Sequence, residues 1–190
     1  MDALVTAIVD ACVLYSAPVR DLIIRLAQAG LIQARWTAEI HDEWMRNLLK
    51  NSPRITPDRL DRTRSLMDAA VRDCLVTGYE DLIPSLTLPD PDDRHVLAAA
   101  IRCGGNAIVT YNLSDFPAEA LASHGIEALH PDEFIARLLD MDPESVAEAV
   151  KLQREGLKNP PRTAEELLAT LEHQGLVRTV TALRRLEGLI

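Results

Sequence analysis

The sequence predicts an α/β fold, a central parallel sheet with helices on both faces, followed by a small all-helical C-terminal extension. Three observations carry this expectation. Short apolar runs rich in β-branched residues alternate with stretches of helical periodicity over roughly residues 4–140. Such alternation builds βαβ units and therefore a parallel sheet. From Asp142 onward the strand signal stops, and three helical patterns follow at about 143–157, 163–174 and 176–188. The expected division is one α/β domain over 1–140 and a helical extension over 141–190.

The elements follow from local pattern. Leu4-Val5-Thr6-Ala7-Ile8-Val9 is a buried strand ending at Asp10. Val19, Leu22, Ile23 and Leu26 lie at helical spacing after Pro18, and Gly30 closes that helix. Leu31–Trp36 reads as a second strand, after which Thr37 caps a helix with Ile40, Trp44 and Leu48 on its inner stripe. Thr56-Pro57 opens a helix reaching about Arg72, and 71–76 holds a short strand before Gly78. Asp90-Pro91 starts a helix that is apolar nearly all round, hence deeply buried, ending at Gly104-Gly105. Strands at 107–110 and 126–129 flank a short helix from Pro117 to Ser123, and Pro131 starts a helix ending near Leu139. In the extension, Lys158-Asn159-Pro160-Pro161 is the break between helices. Leu152, Leu167, Leu168, Leu171, Leu176, Val180, Leu183 and Leu186 are too many apolar positions for solvated helices. They are expected to cover the first domain, or failing that a second copy of the chain in a homodimer.

Of the 190 residues 47% are hydrophobic and only 8 are Gly, which excludes intrinsic disorder and low-complexity classes. No apolar run approaches the roughly 18 residues of a membrane span. Met1-Asp2-Ala3 and the residues after it lack the basic start of a signal peptide. Three scattered cysteines, Cys12, Cys74 and Cys103, read as buried thiols of a cytoplasmic protein. The net charge of −9 is uneven. Residues 78–145 hold 13 acids and 3 bases, while 46–64 hold Arg46, Lys50, Arg54, Arg59, Arg62 and Arg64 against two acids. An acidic centre beside a basic arm suits a metal site next to a phosphate-binding surface, and equally two solvated faces of opposite sign.

Open parallel sheets place their sites at the carboxyl ends of strands. Asp10 ends the first strand directly, and Asn112 and Asp115 follow a later one. Asp93 precedes Val96 and Leu97 by three and four residues, so it points inward with them. Glu43 lies at the margin of the apolar stripe of its helix. These carboxylates can meet at one sheet edge, where their repulsion calls for a cation. An all-oxygen set suits Mg²⁺ or Mn²⁺. Each acid also has a structural reading. Asp90 and Asp93 suit helix capping, Glu43 a half-exposed helix surface, and Asn112–Asp115 an Asx turn. The five histidines show no metal-ligand spacing and read as surface or boundary residues.

Four motifs in order, Ile8-Val9-Asp10, Glu39-Ile40-His41-Asp42-Glu43-Trp44, Asp90-Pro91-Asp92-Asp93-Arg94-His95-Val96-Leu97-Ala98-Ala99-Ala100 and Val109-Thr110-Tyr111-Asn112-Leu113-Ser114-Asp115-Phe116-Pro117, resemble the PIN-domain family. Within it, they are most similar to the VapC-type toxins of bacterial toxin–antitoxin pairs. The resemblance covers residues 4 to about 135. It implies a three-layer α/β/α sandwich and a Mg²⁺/Mn²⁺-dependent ribonuclease. The family's acids fall on Asp10, Glu43 and Asp93, and its fourth position falls in the loop holding Asn112 and Asp115. Asp90, Asn112 and Thr110 are accessory. In the mechanism that follows, Asp10 and Asp93 hold the metal and Glu43 and Asp115 complete its shell or act through water, while Arg46, Lys50 and Arg54, which follow Glu43 on the same segment, are candidates for positioning RNA phosphates. A small antitoxin that inserts a cationic side chain into the acidic site is the implied partner.

Two departures stand out. Cys12 occupies a place where the family often carries Asn, Ser or Thr, and a thiol is a poorer hydrogen-bonding group. The minimal toxin ends near residue 140, so the extension lacks a counterpart there. Rival readings are weaker. A haloacid-dehalogenase-type phosphatase needs an Asp where Cys12 stands, and a receiver domain needs a suitably placed late Lys. The remaining alternative is a non-catalytic PIN-like scaffold acting through its helical extension.

Overall fold

The computed structural model describes residues 4–190, apart from the Glu187 side chain; the Met1–Ala3 segment read above for charge lies outside the described residues. Four parallel strands, β1 (Val5–Val9), β2 (Ile32–Arg35), β3 (Ala107–Val109) and β4 (Glu127–Leu129), form one sheet in the order β2-β1-β3-β4. In register, Ala7 pairs with Ala34 on one side and with Ala107 on the other. The chain leaves β1 towards one edge and then returns to build β3 and β4 on its other side. Strand order therefore reverses between β1 and β3, which opens a crevice at their carboxyl ends.

Parallel strands on both sides of β1 need crossover connections, which in right-handed form put helices on both faces of the sheet. α1 (Ala11–Tyr15) and α2 (Ala17–Gln28) link β1 to β2, while α5 (Arg94–Arg102) precedes β3 and packs against β1 and β3 from the opposite face. α5 buries His95 through Ala100 without a break, as its all-round apolar sequence predicts. Gly105 lets it turn straight into β3: a Cβ there would lie 3.3 Å from the carbonyl oxygens of Ala100 and Thr6. Between β2 and α5 run α3 (Ala38–Asn51) and α4 (Pro57–Ala70). Thr37 caps α3 as expected, its hydroxyl accepting from Ile40 N at 3.0 Å. Such a cap contributes about 1 kcal/mol. A short α6 (Ala118–Leu121) joins β3 to β4, and α7 (Pro131–Met141) follows.

Several local expectations need correction. α1 has no signal in the sequence, because five residues starting directly after a strand carry no periodicity. The strand at 71–76 is only an isolated bridge between Trp36 and Leu75. The chain turns away there through Asp73 at φ 54°. The helix expected from Asp90 begins as a 3-10 turn over Pro91–Asp93, and α5 proper starts at Arg94. His41 is no boundary residue but fully buried. Its Nδ1 accepts from Trp44 Nε1 at 3.0 Å and its Nε2 lies 2.9 Å from Asp68 Oδ1, which also accepts from Trp36 Nε1 at 2.9 Å. Because an indole N–H only donates, His41 Nδ1 must be the acceptor and Nε2 must carry the proton. Burial pushes the His41 pKa down, which keeps the ring neutral.

The extension comprises α8 (Pro143–Gly156), α9 (Ala164–His173) and α10 (Val177–Arg184). It covers the chain's own first domain: α8 packs on α2, and α10 packs on α7. Leu167, Leu168, Leu171, Leu176, Val180 and Leu183 are buried. Each such side chain contributes roughly 1.5–3 kcal/mol of apolar burial. Leu186 is half-buried against the core, and Leu152 on α8 is the exposed exception, at 45%. Polar ties reinforce the docking. Asp132 on α7 accepts the backbone N–H groups of Arg178 and Thr179, at 2.9 and 2.8 Å, where α10 begins. No helix of the described residues is long and apolar enough to cross a membrane.

Candidate active site

Asp10 sits where β1 ends, at the crevice between β1 and β3, and its side chain is almost fully buried. Its Oδ1 accepts from Ala11 N at 2.6 Å and so caps α1. Its Oδ2 accepts from the Thr110 hydroxyl at 2.7 Å and from the Cys12 thiol at 3.2 Å. The carboxylate is thereby held in one orientation by the first residue after β3 and the second residue of α1. Cys12 does more than the sequence suggests, since its sulfur also accepts from Tyr111 N at 3.3 Å. The thiol substitutes for the expected amide or hydroxyl. It stays protonated, because burial and then the neighbouring Asp10 charge push its pKa up to about 12. Cys12 and Cys103 are half-buried rather than buried, and Cys74 is buried as expected.

Asp93 stands at the N-cap position of α5 and yet forms no capping bond through its side chain. Capping falls to Asp90, whose carboxylate accepts from Asp92 N at 2.9 Å. The Asp93 carboxyl is instead pushed up to about 7 by burial and then by the charges of Asp10, Asp115, Asp90 and Glu43. Four carboxylates from four separate segments therefore raise this one group. Glu43, half-buried on α3, is raised too, first by burial and then by Asp10, with Arg46 pulling the other way. Asp115 is half-buried at the end of a 3-10 turn over Leu113–Asp115. Asn112 is exposed and does not cap that turn, so the Asx-turn reading does not hold. Its backbone N–H donates to Thr110 Oγ1 at 3.0 Å.

The structure adds one neighbour to the site. His95, expected at the surface or its boundary, is buried between Glu39 and Glu43, with Nδ1 3.7 Å from Glu39 Oε2 and Nε2 3.8 Å from Glu43 Oε2. Its Nδ1 is buried without a hydrogen-bond partner. Burial pushes its pKa down, against the pull of Glu39 and Asp10. The signal available in sequence was the Glu39–Glu43 spacing of one helical turn, which puts both acids on one face of α3. Arg46 and Lys50 lie three and seven residues beyond Glu43 on that helix, exposed, and Arg54 is exposed just past its end. Among the described residues neither Lys50 nor Arg54 forms an ion pair, and both are exposed.

The donor set is chemically suited to a hard divalent cation. Every candidate ligand atom is a carboxylate oxygen, and the cluster is short of positive charge, as the raised Asp93 carboxyl records. Among the described residues, however, no three His, Cys, Asp or Glu side chains stand as a ready-made metal cage.

Comparison with known proteins agrees with this architecture. No solved structure matches the chain significantly. A family model described as the VapC50 C-terminal domain matches residues 131–185, so the helical extension that the minimal toxin lacks has a counterpart in a VapC-type protein. A protein of Mycobacterium tuberculosis (strain ATCC 25618 / H37Rv) named "Putative ribonuclease VapC50" is 41% identical over 97 residues, 51% of this chain and 57% of that protein. The family model described as the PIN domain matches residues 6–114, which include Asp10, Glu43 and Asp93: the chain belongs to the PIN-domain family.

Proposed function

We propose that this protein is a metal-dependent endoribonuclease, the toxin of a type II toxin–antitoxin pair, built as a nuclease domain over 1–140 and a helical extension over 141–190. The observation that carries the reading is Asp10 held by Thr110 and Cys12 at the switch point of a PIN-domain sheet, together with an Asp93 carboxyl that makes no capping bond and is pushed up by burial and then by the charge of Asp10. Asp10 and Asp93 would hold Mg²⁺ or Mn²⁺ directly, and Glu43 and Asp115 would complete the shell or act through water. The chemistry such an ion supplies when bound is a more acidic water and neutralised charge on the scissile phosphate. This chain's residues do the rest. Thr110 and Cys12 fix the Asp10 carboxylate, and Asp93 offers a carboxyl that releases its proton when positive charge arrives. Arg46, Lys50 and Arg54 draw RNA phosphates towards the acidic crevice and orient them. The similarity to the mycobacterial protein supports RNA as substrate. The acidic crevice supports an antitoxin that inserts an arginine, which would exclude both RNA and metal.

Purified protein should cleave structured RNA with Mn²⁺, and EDTA or Asp10→Asn should abolish cleavage. Asn keeps the cap on α1, so loss of activity in a folded variant reports the site itself. A wild-type protein inactive under these conditions would instead favour the non-catalytic scaffold. Growth arrest on expression, relieved by the neighbouring small gene, tests the pairing.

A further inference from the structure

Gln174 lies in the turn between α9 and α10 and touches both segments that flank the candidate carboxylates. Its side-chain Oε1 accepts from the Ser16 hydroxyl at 2.6 Å. Its backbone carbonyl accepts from the Tyr111 phenol at 2.8 Å. Ser16 ends α1, the short helix that begins at Asp10 and carries Cys12. Tyr111 lies between Thr110, which holds Asp10, and Asn112, which leads to Asp115. Its own N–H returns to Cys12 Sγ. A closed circuit results, from Gln174 to Ser16, along α1 to Cys12, across to Tyr111 and through its ring back to Gln174.

The circuit is anchored to the rest of the extension. The Tyr111 ring packs edge-on against His130 at 4.9 Å between centroids. His130 Nδ1 accepts from Asp132 N at 3.1 Å, and Asp132 holds the first turn of α10. Gly175, at φ 88°, makes the turn that brings the Gln174 carbonyl to the phenol, in a backbone conformation other residues rarely adopt. Buried leucines and valines already secure the extension, so two half-buried polar bonds at its turn add little to docking. Their placement matters more than their strength.

We propose that Gln174 is a positioning residue for the candidate metal-binding carboxylates: by tying Tyr111 and Ser16 to the extension, it fixes the loop that carries Asp115 relative to the strand end that carries Asp10. The extension then acts as a brace for the site rather than as a cover for apolar surface alone. The inference rests on the nuclease reading for its consequence in catalysis and on geometry for the brace itself.

The test uses the full chain and four variants: Ser16→Ala with Tyr111→Phe together, Tyr111→Phe alone, Gln174→Leu, and Gln174→Glu, which keeps an acceptor for Ser16. Hydrogen exchange over residues 10–16 and 109–116 reads the brace directly. Loss of each bond should speed exchange there about fivefold, the equivalent of one ordinary hydrogen bond. Mn²⁺ binding, followed by the electron paramagnetic resonance of free ion, should weaken about tenfold in the double variant. RNA cleavage should lose about tenfold in kcat with KM little changed, since the effect is on geometry at the reacting centre. Gln174→Glu should behave as wild type and Gln174→Leu should not. A double variant that only melts lower, with wild-type exchange in both segments and wild-type Mn²⁺ affinity, would overturn the proposal. Wild-type protein that neither binds Mn²⁺ nor cleaves RNA would defeat the nuclease reading, while the exchange measurement still decides the brace.

Discussion

The Thr110 hydroxyl donates to Asp10 Oδ2 at 2.7 Å, joining residues a hundred apart in sequence across the paired ends of β1 and β3. This bond sets which way the Asp10 carboxylate faces, since Oδ1 is taken up by the start of α1. Thr110→Val keeps the shape and removes the donor, and it also leaves Asn112 N without its acceptor. Losing a buried bond to a charged group costs about 1.5–3 kcal/mol. Thermal melts should therefore fall by roughly 3–12 °C for a chain of this size. Thr110→Ser should retain both stability and activity.

Asp93 makes stability and metal binding pull against each other. Its native carboxyl titrates near 7 against 3.8 for the free group, so between those values the metal-free native state holds a proton that the unfolded chain has released. Stability contributed by this group therefore falls as pH rises from about 4 to 7 and recovers on acidification. Asp93→Asn should abolish that slope, match or exceed wild-type stability in EDTA at pH 7, and be catalytically dead. Mn²⁺ at about 100 times its dissociation constant should stabilise wild type by about 2.7 kcal/mol and the variant by little. Melts of both proteins with and without Mn²⁺ decide it. A variant that melts lower in EDTA yet responds fully to Mn²⁺ would mean that Asp93 serves α5 and not a metal.

His41 predicts an opposite slope on the acid side. Its native pKa lies below the ordinary 6.5, so the unfolded chain binds the proton first and the contribution of His41 to stability is lost as pH falls below about 6.5. His41→Phe should flatten that part of the profile in urea titrations across pH. Asp68→Ala strips the acceptor from both Trp36 Nε1 and His41 Nε2 and should cost about 2–4 kcal/mol at neutral pH.

Removing the extension after Leu139 should expose the surfaces of α2 and α7 that α8 and α10 cover. The expected product aggregates on size-exclusion chromatography. Leu168→Ala, a milder probe of the same packing, should cost about 2–5 kcal/mol. A truncated chain that is monomeric, soluble and fully active would remove any structural role for the extension.

The sequence by itself determined the four strands, the longer helices and the parallel sense of the sheet, because each rests on a local pattern of apolar residues that the chain carries wherever it folds. The strand order and the reduction of 71–76 to one bridge came with the structure. It also brought out Asp10 and Asp93, since a strand end and an inward helix face are positions that local pattern defines. Only the tertiary structure decided what surrounds them. Cys12 reads as a misplaced thiol until Tyr111 and Asp10 are brought to it from elsewhere. His41 and His95 read as boundary residues, because the burial of a polar side chain depends on partners such as Asp68, Glu39 and Glu43 arriving from other elements. Gln174 has no sequence signal at all. Its two partners lie 158 and 63 residues away, and contacts over such distances leave no periodic trace in one chain.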